Sequence, residues 1–269
     1  MKAIQTFASV LLLIAVGCGT TGQRHSIEHH APATRLVTIP AQPRPLEINL
    51  RKTAVIVVDM QNDFVTKGGL LDRVGIEVAG IQKIVPRIRE TLELARKAGL
   101  TIVYLKMGYR PDLSDIGSED SPMGVENRRA HVGEKMCAPD GREGRFLVRD
   151  TWNTDIVDEL RPQSGDIIVY KTRYSGFYNT ELDAILKRRG MRTLMMMGCT
   201  TSVCVESTLR DAMFRDYSPV LLSDCTAEPI GQEFPRSNHE ASLFLIREAP
   251  FGAVATSADF AKALEGLKQ

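Results

Sequence analysis

Apolar residues follow two alternating patterns along most of the chain. Residues 54–58 read Ala-Val-Ile-Val-Val, a continuous run that is typical of a strand buried on both faces. Similar runs predict further strands at residues 101–105, 166–170, 193–197, 219–222 and, more weakly, 252–255. Each run therefore marks a candidate strand of one buried sheet.

Between these runs, apolar residues recur every three or four positions, which predicts helices. The helical segments are residues 81–95, 182–186, 203–214, 240–246 and 258–267. Because strands and helices alternate, the sequence predicts one three-layer α/β/α domain around a central parallel sheet, over residues 50–267.

Residues 110–149 interrupt this alternation. The segment is polar, carries several glycines and prolines, and shows little periodicity. A stretch this long inside a compact domain is usually functional or disordered. We expect it to be a lid over a site or a contact between subunits.

The N-terminus resembles an export signal. Lys2 precedes a short apolar run, ASVLLLIAV at residues 8–16, and small residues follow it. Cys18 lies where a bacterial lipoprotein would be lipidated, although a cleaved signal without lipid is the alternative. We expect a signal peptide at residues 1–18, a flexible linker at residues 19–49, and an exported protein, either periplasmic or anchored to the membrane through Cys18.

The composition is that of an ordinary globular protein. Its 269 residues include 34 Lys plus Arg and 33 Asp plus Glu, so the net charge is +1. Such a balance provides no broad positive field, and we expect no nucleic-acid partner. Five cysteines in a chain of this length are not a disulfide framework.

Three reactive side chains lie at the ends of predicted strands. Asp59 follows the first strand, Lys171 follows the third, and Cys204 follows the fourth at the start of a helix. The carboxyl ends of parallel strands share one edge of a sheet, where ligands bind. The sequence therefore predicts a site that combines a carboxylate, an amine and a thiol.

The surroundings of Cys204 suggest a nucleophile. Thr201 and Ser202 are possible N-caps, so the sulfur lies at the positive end of a helix. That position and a nearby ammonium are expected to lower the thiol pKa, and a neighbouring carboxylate serves as base. Backbone N–H groups of Thr200 and Cys204 are candidates for an oxyanion hole.

Three motifs make the chain resemble the isochorismatase-like cysteine hydrolases. They are VVDMQNDF at residues 57–64, KTRYSGF at residues 171–177 and GCTTSVCVEST at residues 198–208. The resemblance covers roughly residues 50–267. Within the superfamily, the second motif and VCVESTLRD at residues 203–211 are most similar to ureidoacrylate amidohydrolases and biuret hydrolases.

The resemblance implies a Rossmann-like sheet and a catalytic triad of Asp59, Lys171 and Cys204. Asp59 would deprotonate Cys204, whose thiolate attacks an amide or ureido carbonyl to form a thioester that water cleaves. Thr200 and Cys204 would form the oxyanion hole, with a cis peptide bond between Cys199 and Thr200. No cofactor is implied, and a homo-oligomer is expected.

Neighbouring activities differ from this pattern. Metal-dependent nicotinamidases carry an Asp and His cluster after the second strand, whereas residues 107–114 contain no histidine, so we expect no metal site. Isochorismatases, which cleave a vinyl ether, lack the nucleophilic cysteine that is present here. Vinyl ether hydrolysis and a non-catalytic exported binding module remain the alternatives to amide hydrolysis.

Three residues are candidates for contact with a small-molecule substrate. Tyr109 is predicted at a strand end, and Arg173 and Tyr174 follow the lysine of the second motif. Arg173 is a candidate partner for a substrate carboxylate or, equally, a structural ion pair. Ureidoacrylate-type enzymes resemble this chain but place Asn and Trp where it has Met107 and Tyr109. A ureidoacrylate-like amide is the favoured substrate.

Overall fold

The computed structural model of the chain describes residues 35–265. Its strands are β1 (Leu36–Ile39), β2 (Leu46–Asn49), β3 (Thr53–Val58), β4 (Thr101–Met107), β5 (Lys135–Cys137), β6 (Glu143–Arg145), β7 (Ile167–Lys171), β8 (Thr193–Cys199), β9 (Ser218–Ala227) and β10 (Ala253–Ala255). Six of them form one sheet in the order β10-β9-β8-β3-β4-β7, and all neighbouring strands in it are parallel. The predicted parallel sheet is confirmed.

Helices pack on both faces of this sheet. They are α1 (Asn62–Val65), α2 (Leu70–Arg73), α3 (Ala79–Gln82), α4 (Val85–Lys97), α5 (Pro122–Arg129), α6 (Leu182–Arg188), α7 (Glu206–Met213), α8 (Asn238–Glu248) and α9 (Ser257–Glu265). Val55 and Val57 of β3 pack with α4 and α9, whereas Ile56 packs with α6, α7 and α8. Because successive strand residues point to opposite faces, the continuous apolar run fills two cores. The three-layer α/β/α prediction is therefore confirmed.

The first two strands lie within the segment that was predicted to be a flexible linker. β1 and β2 pair as an antiparallel hairpin, and Val37, Ile39 and Ile48 are buried in the core that includes α9. Only alternate residues of such a hairpin face the core. Its strands therefore lack the continuous apolar run by which the other strands were predicted. The prediction of a flexible linker through residue 49 is wrong from residue 36 onward.

The predicted export signal lies outside the described residues. Residues 1–18, including Cys18, and the linker up to residue 34 belong to this part, so export and lipid anchoring stay predictions. Within residues 35–265, no helix combines the length and the apolar character that are needed to cross a membrane.

The interrupting segment is ordered and is fixed to α1. It contains α5 and a short hairpin of β5 and β6. The buried carboxyl group of Asp63 accepts hydrogen bonds from the backbone N–H of Leu147 (2.7 Å) and of Leu70 (3.1 Å), and from Nδ2 of Asn153 (2.6 Å). These bonds hold the end of the segment beside the carboxyl end of β3.

Candidate active site

Asp59 lies directly after β3 and is held by backbone contacts. Its φ is +52°, a left-handed conformation that Asp tolerates better than most residues. Its N–H donates to the carbonyl of Leu105 (3.0 Å), and its Oδ1 accepts from the N–H of Met107 (3.0 Å). The end of the neighbouring strand β4 therefore fixes the direction of the carboxyl group.

Lys171, the last residue of β7, connects the other two predicted site residues. Its Nζ lies 2.7 Å from Oδ2 of Asp59 and 3.3 Å from Sγ of Cys204. The same ammonium donates to the carbonyl of Arg173 at 3.3 Å. The structure therefore brings Asp59, Lys171 and Cys204 together around one nitrogen, as the strand-end argument predicted.

Cys204 lies on a single π-helical turn, Thr201–Val205, between β8 and α7. The carbonyl of Cys204 accepts a hydrogen bond from the Thr208 hydroxyl (2.7 Å). The hydroxyl oxygen of Thr208 in turn accepts a hydrogen bond from the N–H of Gly176 (3.0 Å). The thiol is thus carried by a turn that is connected to the segment after β7. We call Thr201–Val205 the nucleophile turn.

The strand before this turn passes very close to β3. A Cβ atom on Gly198, whose φ is +121°, would lie only 2.1 Å from the carbonyl oxygen of Val58, so only glycine fits there. The next residue, Cys199, donates from Sγ to the carbonyl of Asp59 at 3.3 Å. The peptide bond between Cys199 and Thr200 is cis, as the resemblance implied.

The three central groups are almost completely buried, and burial controls their ionisation. Burial raises the pKa of the Asp59 carboxyl, while the Lys171 ammonium opposes this shift. Burial alone would lower the pKa of Lys171, but Asp59 and Cys204 outweigh it, so the Lys171 pKa is raised. Burial also raises the pKa of the Cys204 thiol, because Lys171 compensates only in part. The expectation of a lowered thiol pKa is therefore wrong.

The raised thiol pKa gives a testable titration. The absorbance of thiolate at 240 nm, taken as the difference between the wild-type protein and Cys204→Ala, is expected to appear only above pH 9. Cys199 and Cys225, whose pKa values burial also raises, are present in both proteins and cancel. A difference signal that is complete at pH 7 contradicts the assignment of a neutral resting thiol.

A small cavity opens above the sulfur. Its volume is about 190 Å³ and its wall is mostly apolar. The lining includes Asp59, Phe64, Met107, Met123, Glu126, Asn127, Val132, Leu147, Tyr174, Cys199, Thr200 and Cys204. The segment of residues 110–149 supplies several of these side chains, so it covers the site as the lid hypothesis expected. Within residues 35–265, no group of three or more His, Cys, Asp or Glu side chains is placed to hold a metal ion.

The three residues that were predicted to contact substrate lie at different positions relative to the cavity. Tyr174 lines the cavity. Tyr109 does not: it is fully buried behind the wall, and its hydroxyl exchanges hydrogen bonds with the amide of Asn127. A side chain at a strand end points to either face of the sheet, and that of Tyr109 is enclosed. The prediction that Tyr109 contacts substrate is therefore corrected.

Arg173 also lies outside the cavity lining, but it is close to the opening. Its Nη1 donates to the carbonyl of Thr172 (2.7 Å), and its guanidinium lies 5.5 Å from the ring centre of Tyr178. It lines a neighbouring surface depression that shares Met123, Glu126 and Tyr174 with the cavity. We call this depression the vestibule.

Two polar residues near the nucleophile turn were not identified from the sequence. Glu228 directly follows β9 and is 5% exposed, and His239 lies in the first turn of α8. The strand-end position of Glu228 is the same signal that identified Asp59. It was missed because β9 extends to Ala227, well beyond the apolar run at residues 219–222.

Comparison with known proteins places the chain in a family. The isochorismatase domain family matches residues 53–259. Ureidoacrylate amidohydrolase RutB of Caulobacter segnis is 42% identical over 224 residues, which cover 83% of this chain and 90% of that protein.

Solved structures agree with this match. A cysteine hydrolase from Pseudomonas syringae pv. phaseolicola 1448A has a TM-score of 0.68 at 33% identity and covers 87% of this chain and 99% of that one. N-carbamoylsarcosine amidase from Thermoplasma acidophilum has a TM-score of 0.56 at 29% identity, covering 77% of this chain and 96% of that one. The chain belongs to the isochorismatase family, among the isochorismatase-like cysteine hydrolases.

Proposed function

We propose that this chain is a cysteine-dependent amidohydrolase that cleaves a C–N bond of a small amide or ureido compound through a thioacyl-enzyme intermediate. One observation carries the proposal: the Lys171 ammonium lies against both the Asp59 carboxyl and the Cys204 sulfur. A thiol beside a base and a fixed positive charge is the arrangement that activates a nucleophile for attack on a carbonyl. The amidase and amidohydrolase relatives support the same type of bond.

The first half of the reaction forms the thioester. Asp59 takes the proton of the Cys204 thiol, and the sulfur bonds to the carbonyl carbon of the substrate. Negative charge develops on the carbonyl oxygen, where backbone N–H groups of Thr200 and Cys204 stabilise it. The C–N bond then breaks, and the protonated Asp59 returns its proton to the leaving nitrogen.

The second half regenerates the thiol. A water molecule gives a proton to Asp59 and adds its oxygen to the thioester carbonyl. The C–S bond breaks, the acid is released, and Asp59 returns the proton to the sulfur of Cys204. Lys171 keeps its charge throughout because its pKa is raised, so it stabilises both the carboxylate and the departing thiolate.

The dimensions of the cavity limit the substrate to a small molecule. Its volume of about 190 Å³ is below the range of roughly 300–1,000 Å³ that is usual for drug-sized ligands. The 42% identity to a ureidoacrylate amidohydrolase favours a ureidoacrylate-like compound. We propose that such a substrate binds with its ureido carbonyl at Cys204 and with its carboxylate pointing past Tyr174 toward Arg173 in the vestibule.

The vestibule predicts a charge-dependent effect of Arg173. With ureidoacrylate as substrate, Arg173→Ala is expected to raise KM about tenfold, equivalent to about 1.4 kcal/mol, because the carboxylate loses the guanidinium that lines the vestibule. With the neutral methyl ester of ureidoacrylate, KM is expected to change less than about twofold. Arg173→Lys keeps the charge and serves as the control. An equal change for both substrates shows that Arg173 has only a structural role.

A substrate panel tests the proposed function. The purified protein is incubated with ureidoacrylate, biuret, simple primary amides and isochorismate, and the release of ammonia or pyruvate is measured against a Cys204→Ala blank. Hydrolysis of at least one amide or ureido compound is expected. Cleavage of isochorismate with every amide inert supports a vinyl ether hydrolase. Binding of these compounds in calorimetry with no turnover supports a non-catalytic binding module.

A further inference from the structure

The nucleophile turn is held by a buried carboxyl group that the proposed reaction does not use. Oε2 of Glu228 accepts from both the backbone N–H (2.8 Å) and the hydroxyl (2.5 Å) of Ser202, and Oε1 accepts from the N–H of Ile230 (3.0 Å). Ser202 lies two residues before Cys204. Glu228 therefore connects the end of β9 to the backbone that carries the thiol.

A second contact reaches the same turn from α8. Nδ1 of His239 lies 3.0 Å from the hydroxyl oxygen of Thr201, and Thr201 is fully buried. Burial lowers the pKa of His239, against the opposing charges of Glu228 and Glu240. The imidazole is therefore neutral at pH 7, where one nitrogen accepts and the other donates a hydrogen bond.

Burying the Glu228 carboxyl group costs free energy unless hydrogen bonds compensate for the lost water. Among residues 35–265, no Lys, Arg or His nitrogen lies within ion-pair distance of Glu228, which is 5% exposed. A buried polar group of this kind is high in energy unless its partners are fixed, and a fixed network defines a single local geometry. Here that geometry is the path of the nucleophile turn.

We propose that Glu228 and His239 are positioning residues for the hydrolysis, an inference that rests on the proposed function. Neither residue is among those that line the cavity in the described part of the chain, so they act through Ser202 and Thr201. Together they hold the Cys204 sulfur and the neighbouring N–H groups in the arrangement that the attacked carbonyl requires.

Kinetic measurements on a small set of variants test this proposal. Glu228→Ala and His239→Ala are each expected to lower kcat by about 10- to 100-fold, the range that small misplacements at an active site produce, with KM changed less than about twofold. His239→Asn, whose side-chain amide reaches the position of Nδ1, is expected to recover most of the loss. Glu240→Ala, an exposed neighbour on α8, is the matched control and is expected to keep the wild-type kcat.

A second readout does not depend on turnover. Butyraldehyde adds the Cys204 thiol across its C=O bond, so that a C–S bond forms and the oxygen occupies the position of the developing oxyanion. Its affinity is expected to fall by the same factor as kcat in Glu228→Ala and His239→Ala. Alkylation of Cys204 by iodoacetamide, which places no oxygen there, is expected to keep its rate within about threefold.

The outcomes separate three cases. Parallel losses of kcat and aldehyde affinity support positioning. A lower melting temperature with unchanged kcat and aldehyde affinity in the folded protein overturns it. If the wild-type protein hydrolyses no amide, the proposed function fails, and the aldehyde series still tests the geometry. Should Glu228→Ala not fold, His239→Ala and Ser202→Ala carry the test, with a smaller loss expected for Ser202→Ala because its backbone N–H bond to Glu228 remains.

Discussion

Replacing Cys204 with alanine is expected to lower kcat for the best amide substrate by about 10⁴-fold or more. The sulfur is the only thiol that contacts Lys171 among the described residues, at 3.3 Å, and no thioester forms without it. The oxyanion contacts and substrate binding remain, so a small residual rate is expected. Steady-state release of ammonia measures the loss, and the melting temperature confirms that the variant is folded.

A matched control separates this effect from the general loss of a buried thiol. Cys225 is also buried but lies on β9 against the hydroxyl of Thr91, at 3.7 Å. Cys225→Ala is expected to keep kcat within about twofold. If Cys204→Ala retains more than a tenth of the wild-type kcat, another group is the nucleophile and the account of this site fails.

Asp59→Asn is expected to lower kcat by about 10³-fold, within the range of 10²–10⁴ that is typical of general acid–base catalysis. The amide keeps the size of the side chain and can still accept from the N–H of Met107, but it cannot take the thiol proton. The variant also leaves the Lys171 ammonium buried without its carboxylate, so the free energy of unfolding is expected to fall by about 3 kcal/mol or more. Urea unfolding and initial rates measure the two effects.

The pH dependence of the wild-type protein follows from the same carboxyl group. Protonation removes the base, so kcat/KM rises with pH as Asp59 ionises. Because burial raises the Asp59 pKa, the midpoint of this acid limb is expected above the ordinary carboxyl value of 3.8. The limb reports the coupled group of Asp59, Lys171 and Cys204 rather than one residue alone.

Asp63→Asn is the control for replacing a buried carboxyl group close to Asp59 in the chain. Asp63 fixes Leu70, Leu147 and Asn153, of which the first two line the cavity, but among the described residues its hydrogen bonds do not reach Asp59, Lys171 or Cys204. The variant is therefore expected to reduce stability while kcat falls by less than about tenfold. Asp59→Asn with kcat within tenfold of the wild type contradicts the assignment of Asp59 as the base.

The sheet and the central site could be predicted from the sequence because both follow from strand periodicity. The apolar run at residues 54–58 is buried on both faces, which only a central strand of a layered sheet requires. Once the strands are parallel, Asp59 and Lys171 at their carboxyl ends must share an edge. Their convergence on Cys204 therefore needed no knowledge of side-chain packing.

The remaining features depend on packing that periodicity does not encode. Glu228 was missed because the second half of β9 carries polar residues that interrupt its apolar pattern. Tyr109 lies just beyond a strand end but is enclosed by Asn127, which comes from α5 in the segment between β4 and β7. The thiol pKa depends on how completely Cys204 is buried, and its position at a helix start gave the opposite sign.

The proposed hydrolysis depends on a covalent bond between the Cys204 sulfur and the acyl part of the substrate. The most direct measurement is acid quenching of the wild-type protein during turnover of its best amide substrate, followed by mass spectrometry of the peptide that contains Cys204. This peptide is expected to gain the mass of the acyl group, and the gain is expected to be absent without substrate. Full hydrolytic turnover with the acyl group on another residue, or rapid single-turnover hydrolysis with no adduct at any time point, contradicts the proposed hydrolysis.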